Sequence, residues 1–407
     1  MNAPSRPQPL AGTTVLDFGQ FIAMPFCTLW LAWLGAEVIV VESKRRLTSR
    51  SAPPFAAGLE GNPDASGYFN LLYSAKKSCI VDMTTAAGRD IARRLAVKAD
   101  VVVDNFTTGV MEKLGLGYAD ISALNPSVIM VSNGAFGRTG PMKNSRGLHS
   151  AVNLFSGVAD VTAYVDGAPR ILGGCLPDPL SGTFSNFAIL SALYHRRRTG
   201  EGQFVDVAMY EAMLTLIPEA VIDLTLNGNE PQRAGNRDLV NAPLGIYRGR
   251  GDDTWIAISV DSDTAWSGLC RVAAHPDWAS DPRFANAEAR RANVSALDLA
   301  IESWTCTTDV HDAVERLQAA GVTAGPVLRV DELLDNDQLQ ARGAVVTVDH
   351  PVAGRRRQIG LPWQMDTFGV QYTAAPLLGE HTHEILTGRL GVSETEYARL
   401  EADGVLA

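Results

Sequence analysis

Asp178 stands in a sequence context that suits both a helix cap and a reactive carboxylate. The segment reads Leu176-Pro177-Asp178-Pro179-Leu180-Ser181-Gly182, and residues 179–198 have the apolar spacing of a long helix. An aspartate followed by proline is typical of an N-cap with proline at the first helical position. A carboxylate there is also stabilised as the anion by the helix dipole and free N–H groups, as a carboxylate nucleophile requires. The local sequence leaves both interpretations open.

The cysteines show no spacing typical of a metal or redox site. They are dispersed along the chain and form no CxxC pair: Cys27, Cys79, Cys175, Cys270 and Cys306. An odd, dispersed set predicts reduced thiols in a cytoplasmic protein, with neither a disulfide framework nor a zinc site. No GxGxxG follows the first predicted strand, so the sequence does not predict a dinucleotide site either.

The overall charge argues against two classes of partner. The 407 residues include 35 Lys and Arg against 45 Asp and Glu, a formal net charge of −10. Nucleic acids and anionic membranes usually require a basic field, so we expect neither as a partner. The apolar stretch Phe21–Ala36 contains Pro25 and is shorter than a membrane span, which favours a buried helix. A local basic patch can still bind an anionic ligand against the global charge.

Strand and helix patterns alternate through residues 1–140. The predicted strands are Val15–Phe18, Glu37–Glu42, Ser78–Asp82, Val101–Val103 and Val128–Ser132, and helices are predicted at Phe21–Ala36, Thr85–Ala99 and Asp120–Asn125. Continuous apolar strands separated by helices are typical of a parallel sheet covered on both faces. A further strand, Phe204–Met209, follows the helix of residues 179–198. The predicted fold class is α/β.

The length of the chain favours two domains. From about Pro231 the pattern changes to turns rich in Gly, Asn and Asp, a hairpin-like segment over Gly245–Arg250 and Trp255–Val260, and amphipathic helices to Ala320. We interpret residues 226–334 as a smaller α+β domain. Residues 1–225 then form most of a large domain, and residues 335–407 return to it.

Several short motifs follow one another in a specific order and spacing from about Leu10 to Leu386: Leu10–Gly12, Val15–Phe18, Leu34–Ile39, Asp104–Phe106, Phe136–Pro141, Asp178–Gly182, Arg198–Gln203, Met209–Ala212, Ala324–Val327 and Leu378–Thr382. Together they resemble one family, the class III CoA-transferases, related to carnitine CoA-transferases, formyl-CoA transferases and α-methylacyl-CoA racemases. It implies a Rossmann-like large domain built from both chain ends, an inserted smaller domain and an interlocked dimer.

The resemblance also implies a chemistry. Asp178 falls on the nucleophile of the transferases, which forms a mixed anhydride with an acyl-CoA and then an aspartyl-CoA thioester. The expected co-substrates are a coenzyme A thioester and a carboxylic acid, with no permanently bound cofactor. The expected assembly is a homodimer or a hetero-oligomer with a related subunit, in which this chain could also be non-catalytic.

The racemase branch is the main alternative. Racemases of this superfamily carry a Gly-His-Asp segment, and the corresponding residues here are Gly147-Leu148-His149-Ser150. The histidine is displaced by one residue and no acid follows it, so we expect it to point elsewhere and not to form a proton-abstraction pair. His149 is instead predicted to line the site, in contact with the acceptor acid, or to have a structural role.

The resemblance also implies which residues contact CoA. Two of them, Asn105 and Phe106, follow a strand end, where open α/β sheets bind ligands. The full set that the resemblance implies is Gln20, Phe21, Lys44, Arg45, Lys76, Asn105, Phe106, Lys113 and Phe136. The aromatics in this set also suit a core, and the lysines also suit a solvated surface.

The identity of the substrates is predicted from two observations: departures from the pattern of formyl-CoA transferases, and apolar residues near the predicted site. Ile22 stands where formyl-CoA transferases carry glutamine, and their glycine-rich lid is replaced by Asn241–Gly245, which disfavours oxalate or formate. Four apolar residues, Phe21, Met24, Phe26 and Trp30, either form one face of a buried helix or favour a bulky acid. The prediction is a succinyl-CoA donor and a bulky or aromatic acceptor such as benzylsuccinate, with Met24 and His149 in contact with the acid.

Overall fold

The structure, a computed structural model, describes residues 6–165, 167–238 and 240–407. In these ranges the strands are β1 (Thr14–Asp17), β2 (Glu37–Glu42), β3 (Lys77–Ile80), β4 (Val101–Asp104), β5 (Ile129–Gly134), β6 (Gln203–Ala208), β7 (Leu244–Arg248), β8 (Trp255–Ser259), β9 (Thr323–Pro326), β10 (Val345–His350) and β11 (Gly354–Ile359).

The helices in the same ranges are α1 (Ala23–Trp33), α2 (Gly67–Leu72), α3 (Ala86–Lys98), α4 (Val110–Lys113), α5 (Tyr118–Ser122), α6 (His149–Phe155), α7 (Val158–Val161), α8 (Pro177–Thr199), α9 (Met209–Leu214), α10 (Pro218–Asn227), α11 (Asp263–Val272), α12 (Pro276–Ser280), α13 (Ala287–Ala292), α14 (Val294–Thr305), α15 (Val310–Ala319), α16 (Val330–Leu333), α17 (Asp337–Ala341), α18 (Thr382–Glu384) and α19 (Glu394–Ala402). Pro282–Phe284 forms a 3₁₀ turn and Ile385–Arg389 a π-helical turn.

A parallel sheet organises the first unit. Within the described residues it has six strands in the order β3-β2-β1-β4-β5-β6, all parallel. The sequence therefore predicted this mixed α/β architecture correctly. In this order β2 and β3 are added on one side of β1, and β4, β5 and β6 are added on the other. The topological switch point therefore lies between β1 and β4, and open parallel sheets bind ligands at such points.

Both faces of the sheet are buried, because successive side chains along each strand enter opposite cores. Val15 packs with α1 and α8 through Leu31 and Ile189. Leu16 packs on the other face, with Ile91 of α3 and with the C-terminal residues, including Leu400. The C-terminal part of the chain thus contributes to the same core as the N-terminal strands and helices.

The chain divides into two compact units. The first contains the residues up to Ala159, Ile171–Gly228 and Asp337–Ala407, and the second contains Asp160–Arg170 and Asn229–Asn336. The second unit has an antiparallel sheet, β7-β8-β9, and its own core around Trp266 and Leu297. Residues 160–170 were predicted in the large domain, but they belong to the second unit. None of the helices in the described residues combines the length and apolar character needed to cross a membrane.

Candidate active site

A cavity of about 970 Å³ lies at the carboxyl ends of the strands of the first unit. Its lining includes the residues directly after β1 (Gln20 and Phe21) and after β4 (Asn105 and Phe106). These strands flank the point where the direction of chain progression reverses, which is where open parallel sheets bind ligands. Four residues predicted to bind CoA are therefore brought together here.

The loops after β1 and β4 are held to each other by one reciprocal contact. The backbone N–H of Gln20 donates to Oδ1 of Asn105 at 2.8 Å, and Nδ2 of Asn105 donates to the Gln20 carbonyl at 2.7 Å. Phe21 follows with φ of 59° and a side chain 52% exposed. A left-handed backbone is costly for a phenylalanine, and such strain is typical of functional loops.

Lys76 does not reach the cavity, so its predicted contact with CoA is wrong. Its Nζ lies 3.2 Å from Oδ2 of Asp17 and 2.7 Å from Oγ1 of Thr28, and both charged side chains are fully buried. Asp17 also accepts the N–H of Gly19 at 2.7 Å. The lysine therefore neutralises a buried carboxylate that shapes the loop after β1, because a buried charge must be paired.

Asp178 lies in the first turn of α8. The sequence had suggested that it is the N-cap of this helix, and that prediction is wrong. The helix begins at Pro177, and Leu176 before it already has helical angles and provides no side-chain cap. A Cβ built on Gly182, one turn later, would lie 2.6 Å from the Ala23 carbonyl oxygen. The glycine thus lets α8 approach the start of α1, and this contact carries Asp178 to the edge of the cavity.

Burial controls the charge of Asp178. Desolvation raises the pKa of its carboxyl from 3.8 to about 6, while His149 and the N–H groups of Ala23 and of Asp178 itself lower it by less. The sequence predicted that the end of the helix stabilises the charged form of Asp178. Burial has the larger effect on its pKa, and it disfavours the charged form. A carboxyl with this pKa is still ionised in roughly nine of ten molecules at pH 7. Its Oδ2 is buried and accepts no hydrogen bond from the described residues.

Three chemically active side chains surround that oxygen. Nδ1 of His149 lies 3.6 Å from Oδ2 of Asp178, although the displacement of His149 in the sequence had predicted that it would point elsewhere. Cys175, half-buried, lies one turn before Asp178 and lines the same cavity. Tyr68 also lines it, and burial, followed by the charge of Asp178, raises the pKa of the Tyr68 phenol. The phenol therefore remains a hydrogen-bond donor at neutral pH.

Phe136 supports the loop that carries His149. It is 8% exposed, stacks edge-on against Phe155 and is not part of the cavity lining. A Cβ built on Gly147 would lie 2.9 Å from Cε2 of Phe136, so the loop passes directly over this ring. The predicted contact of Phe136 with CoA is replaced by a structural one.

Comparisons with known proteins decide the family. A family-wide sequence model described as CoA-transferase family III matches residues 10–382. The chain belongs to CoA-transferase family III. It is 33% identical to a succinyl-CoA–D-citramalate CoA-transferase of Chloroflexus aurantiacus, with 100% of both chains covered. It is 31% identical to a formyl-CoA:oxalate CoA-transferase of Bradyrhizobium diazoefficiens, with 98% of this chain and 97% of the relative covered.

The fold agrees with solved structures of related proteins. A CAIB/BAIF family protein from Brucella suis aligns with a TM-score of 0.86 and 30% identity, over 94% of this chain and 100% of the other. With the family and the fold both matched along nearly the whole chain, the protein is a CoA-transferase, and its co-substrate is a CoA thioester.

Four arginines line the cavity of this CoA-transferase: Arg45, Arg46, Arg50 and Arg89. Arg50 is buried and already paired with Glu42 and Asp64, which leaves the other three for a ligand. Nε of Arg45 lies 3.2 Å from Oδ2 of Asp82, and the Arg45 side chain is 61% exposed. Of the cations predicted from the sequence, only Arg45 is here. Lys44 instead donates to the Leu406 carbonyl at 3.4 Å, and the exposed Lys113 is not part of the cavity lining.

Three of the four apolar residues considered for the acceptor site, Met24, Phe26 and Trp30, lie outside the lining of the large cavity. Met24 is 0% exposed and belongs to the core under the sheet. Phe26 and Trp30 line a different cavity, of about 280 Å³, together with Leu361 and other apolar residues. Only Phe21 of the four apolar residues lines the large cavity. The helical face was therefore core packing, the alternative interpretation of the pattern.

Tyr68, Cys175 and Arg89 line the cavity but were not predicted from the sequence. Arg89 lies in the first turn of α3, close after a strand, and this position was a usable signal. Tyr68 lies in a segment with no recognisable motif, and only the folded chain brings it into the same cavity as Asp178. Cys175 lies three residues before Asp178, just outside the motif that contains it.

Proposed function

We propose that this CoA-transferase moves CoA from succinyl-CoA to a dicarboxylic acid, with Asp178 as the covalent nucleophile. The observation that carries the proposal is the Asp178 carboxyl itself. It is 7% exposed, lines a cavity at the strand ends, and has an oxygen without a hydrogen-bond donor among the described residues. A carboxylate left unsolvated in this way is free to attack a carbonyl carbon.

The exchange proceeds by four acyl transfers. Asp178 attacks the thioester carbonyl of the donor, the C–S bond breaks, and a mixed anhydride and CoA thiolate form. The thiolate attacks the aspartyl carbonyl, which releases the donor acid as its carboxylate and leaves an aspartyl-CoA thioester. The acceptor carboxylate attacks that thioester to give a second anhydride and the thiolate again. The thiolate then attacks the acceptor's carbonyl, which yields the new acyl-CoA and restores the Asp178 carboxylate.

The surroundings of Asp178 support each requirement of this sequence. Burial limits the access of water, which would hydrolyse either anhydride. Tyr68 is a neutral donor in the same cavity and can stabilise an oxyanion on the attacked carbonyl. Neither role needs a metal or a permanently bound cofactor.

The mouth of the cavity suits the phosphates of CoA. Arg45, Arg46 and Arg89 line it, and guanidinium groups bind phosphate through paired N–H donors. We assign the phosphates to these arginines and the pantetheine arm to the passage beside Phe21 and Phe106, so that the thioester reaches Asp178. Gln20 and Asn105 act mainly by holding that passage open through their mutual contact.

A dicarboxylic acceptor is supported by the relatives' names. The acceptors named for the two relatives, D-citramalate and oxalate, are dicarboxylic acids. The bulky acceptor expected from the sequence, benzylsuccinate, is also a dicarboxylic acid, but it rested on four apolar residues of which only Phe21 lines the large cavity. We therefore favour a compact acid such as citramalate, with succinyl-CoA as donor, and a panel containing citramalate, oxalate and benzylsuccinate distinguishes them.

The test of the nucleophile is covalent. After incubation with succinyl-CoA, hydroxylamine should convert the aspartyl-CoA thioester into a hydroxamate confined to Asp178, as read by peptide mass spectrometry. Asp178→Asn should lose exchange by at least about 10³-fold. The matched control is Asp349→Asn, which removes a carboxylate whose side chain is 75% exposed. Modification of another residue, or full turnover by Asp178→Asn, would overturn the proposal, and an unmodified chain would identify a non-catalytic subunit.

The contact between His149 and Asp178 also bears on racemisation. Two bases that exchange a proton on opposite faces of one carbon must each come within about 3 Å of it, so they stand about 6 Å apart. Here Nδ1 of His149 and Oδ2 of Asp178 are 3.6 Å apart, which leaves no room for a carbon between them. The distance therefore supports transfer over racemisation. Rapid deuterium incorporation at the α-carbon of a branched acyl-CoA, without acyl exchange, would reverse this choice.

We also propose that the chain works as a homodimer. Helix α10 has no buried residue, and its apolar side chains are exposed: Ile222 is 54% and Leu226 76% exposed. In α8, Phe187 is 73% exposed. Large apolar side chains exposed to this extent on two helices suggest that a partner covers them. Light scattering coupled to gel filtration should give twice the chain mass of 43.6 kDa, and a monomer at micromolar concentration would contradict the proposal.

A further inference from the structure

Three side chains with different ligand atoms converge on the same end of the cavity. His149 offers a ring nitrogen, Cys175 a sulfur and Asp178 a carboxylate oxygen, and these atoms all lie within 4.8 Å of one another. We propose that they form a binding site for Zn²⁺ or another borderline divalent metal, and that this metal competes with the chemistry of Asp178.

The local backbone brings two of the ligands to one side. The N–H of Asp178 donates to the Cys175 carbonyl at 2.9 Å, so the two residues are joined by a single turn at the start of α8. Residues three apart on such a turn face the same way. His149 begins α6, and its Nδ1 lies 3.6 Å from Oδ2 of Asp178.

The spacing suits a tetrahedral ion. Zinc bonds of about 2.0–2.3 Å place neighbouring ligand atoms of a tetrahedron about 3.3–3.8 Å apart. The present separations of up to 4.8 Å exceed that range by about 1 Å. Three protein ligands and a fourth position open to the cavity match the arrangement of zinc sites that keep one exchangeable ligand.

The second observation is the oxygen that faces the cluster. Oδ2 of Asp178 is buried and has no hydrogen-bond donor among the described residues, which is a costly condition for a carboxylate. A metal ion would satisfy it directly. Zn²⁺ bound by one carboxylate, one thiolate and one neutral imidazole carries no net charge, so the bound site removes a buried negative charge. Binding releases the thiol proton of Cys175 to solvent.

The consequence for catalysis rests on the proposed function. A carboxylate coordinated to zinc is a weaker nucleophile, and the ion occupies the side of Asp178 from which the thioester must approach, so metal binding and acyl transfer exclude each other. The site therefore makes the enzyme sensitive to free zinc, and an acyl-CoA in the cavity should in turn weaken metal binding.

Direct binding is tested with Co²⁺, whose thiolate complexes absorb strongly in the near ultraviolet. The full-length protein without substrate should give a thiolate-to-cobalt band that saturates at one ion per chain. Cys175→Ser should abolish the band. His149→Ala should weaken Co²⁺ binding at least about 10-fold, because even the loss of a group that only supports a metal ligand lowers affinity by about that factor. The matched control is Cys306→Ser, since Cys306 is the other accessible thiol and the remaining three cysteines are buried.

The outcomes separate the metal site from the proposed function. A band that survives Cys175→Ser and disappears in Cys306→Ser, or no saturable band at all, would overturn the site whether or not the protein transfers CoA. In the exchange assay, with free Zn²⁺ buffered because CoA itself binds zinc, the wild type should be inhibited and Cys175→Ser should be at least about 10-fold less sensitive. Zinc that binds Cys175 without inhibiting an active enzyme would show that Asp178 is not a ligand.

Discussion

Gly182 is the residue on which the position of Asp178 depends most directly, and Gly182→Ala tests that dependence. A Cβ at this position would lie 2.6 Å from the Ala23 carbonyl oxygen and 3.2 Å from Cδ1 of Phe26. The closer neighbour is backbone in the first turn of α1, so it cannot rotate away. One of the two helices must therefore move.

The size of the movement follows from the contact distance. Reaching 3.0 Å, the shortest distance that Cβ atoms show, requires a shift of 3.0 − 2.6 = 0.4 Å, and reaching ordinary contact at 3.4 Å requires 0.8 Å. A misplacement of about 1 Å at a reacting group can cost about 10²-fold in rate. We therefore expect kcat/KM for CoA exchange to fall on the order of 10-fold to 10²-fold.

Stability provides a second readout with an internal control. Replacing a helical glycine by alanine gains about 0.5–1 kcal/mol through the unfolded chain, whereas overpacking costs about 1–3 kcal/mol. Gly388→Ala is the matched control, because Gly388 is exposed in the π-helical turn and a built Cβ meets nothing within 4 Å. The two variants should differ by about 1–3 kcal/mol in the free energy of unfolding, measured in urea.

The two measurements together can refute the reasoning. If Gly182→Ala keeps the exchange rate of the wild type and unfolds like Gly388→Ala, then the close approach of α8 to α1 does not position Asp178. If stability falls but kcat/KM does not, the contact is structural only, and the link between helix packing and the nucleophile is wrong.

Three further predictions concern charge. First, kcat/KM should rise with pH to a plateau above the Asp178 pKa of about 6, because only the carboxylate attacks, and should be about 10-fold lower at pH 5; a flat profile from pH 5 to 8 would contradict this. Second, the pKa of Asp178 in the folded protein lies above its ordinary value of 3.8. The protonated carboxyl therefore favours the folded state, and this contribution to stability is lost as pH rises through 6. Asp178→Asn should therefore gain up to about 3 kcal/mol over wild type in urea unfolding at about pH 8 and little at about pH 4, and an equal gap at both would exclude it. Third, Lys76→Met should cost about 3–5 kcal/mol by leaving Asp17 unpaired while the KM for succinyl-CoA stays unchanged; a raised KM with unchanged stability would show that Lys76 contacts CoA.

Strands were the most predictable part of the fold. The run Glu37–Glu42 is a strand over those residues, because a β-branched stretch buried on both faces has a clear pattern. Gln20, Phe21, Asn105 and Phe106 follow strand ends and lie beside the cavity, at positions that the family resemblance had indicated. Local pattern was enough for the strands themselves, since it does not depend on distant side chains.

The start of α8 was less predictable, and the reason is specific. Both Pro177 and Pro179 suit the first helical turn, since proline needs no intrahelical donor there. Local sequence therefore does not decide whether Asp178 precedes the helix or lies within it. The structure begins the helix at Pro177, and the difference of two residues changes Asp178 from a cap into a buried group of the first turn.

Lys76 and Cys175 show what local sequence does not contain. Lysines are mostly solvated, but Lys76 pairs with Asp17, which lies 59 residues earlier in the chain. Cys175 shares one turn with Asp178, but His149 joins the pair only when α6 and α8 meet. Both environments come from long-range packing, so no motif near either residue predicts them.

The burial of Asp178 has an energetic meaning for the proposed chemistry. Its ionised form is disfavoured by the difference between a pKa of about 6 and 3.8, which is about 3 kcal/mol. Acylation of the carboxylate, first as the anhydride and then as the aspartyl-CoA thioester, removes that buried charge. The covalent intermediates are therefore favoured by up to about 10²-fold relative to the same reaction at a solvated carboxylate. A zinc ion at His149 and Cys175 would neutralise the same charge, and this is why metal binding and acylation should compete for one oxygen.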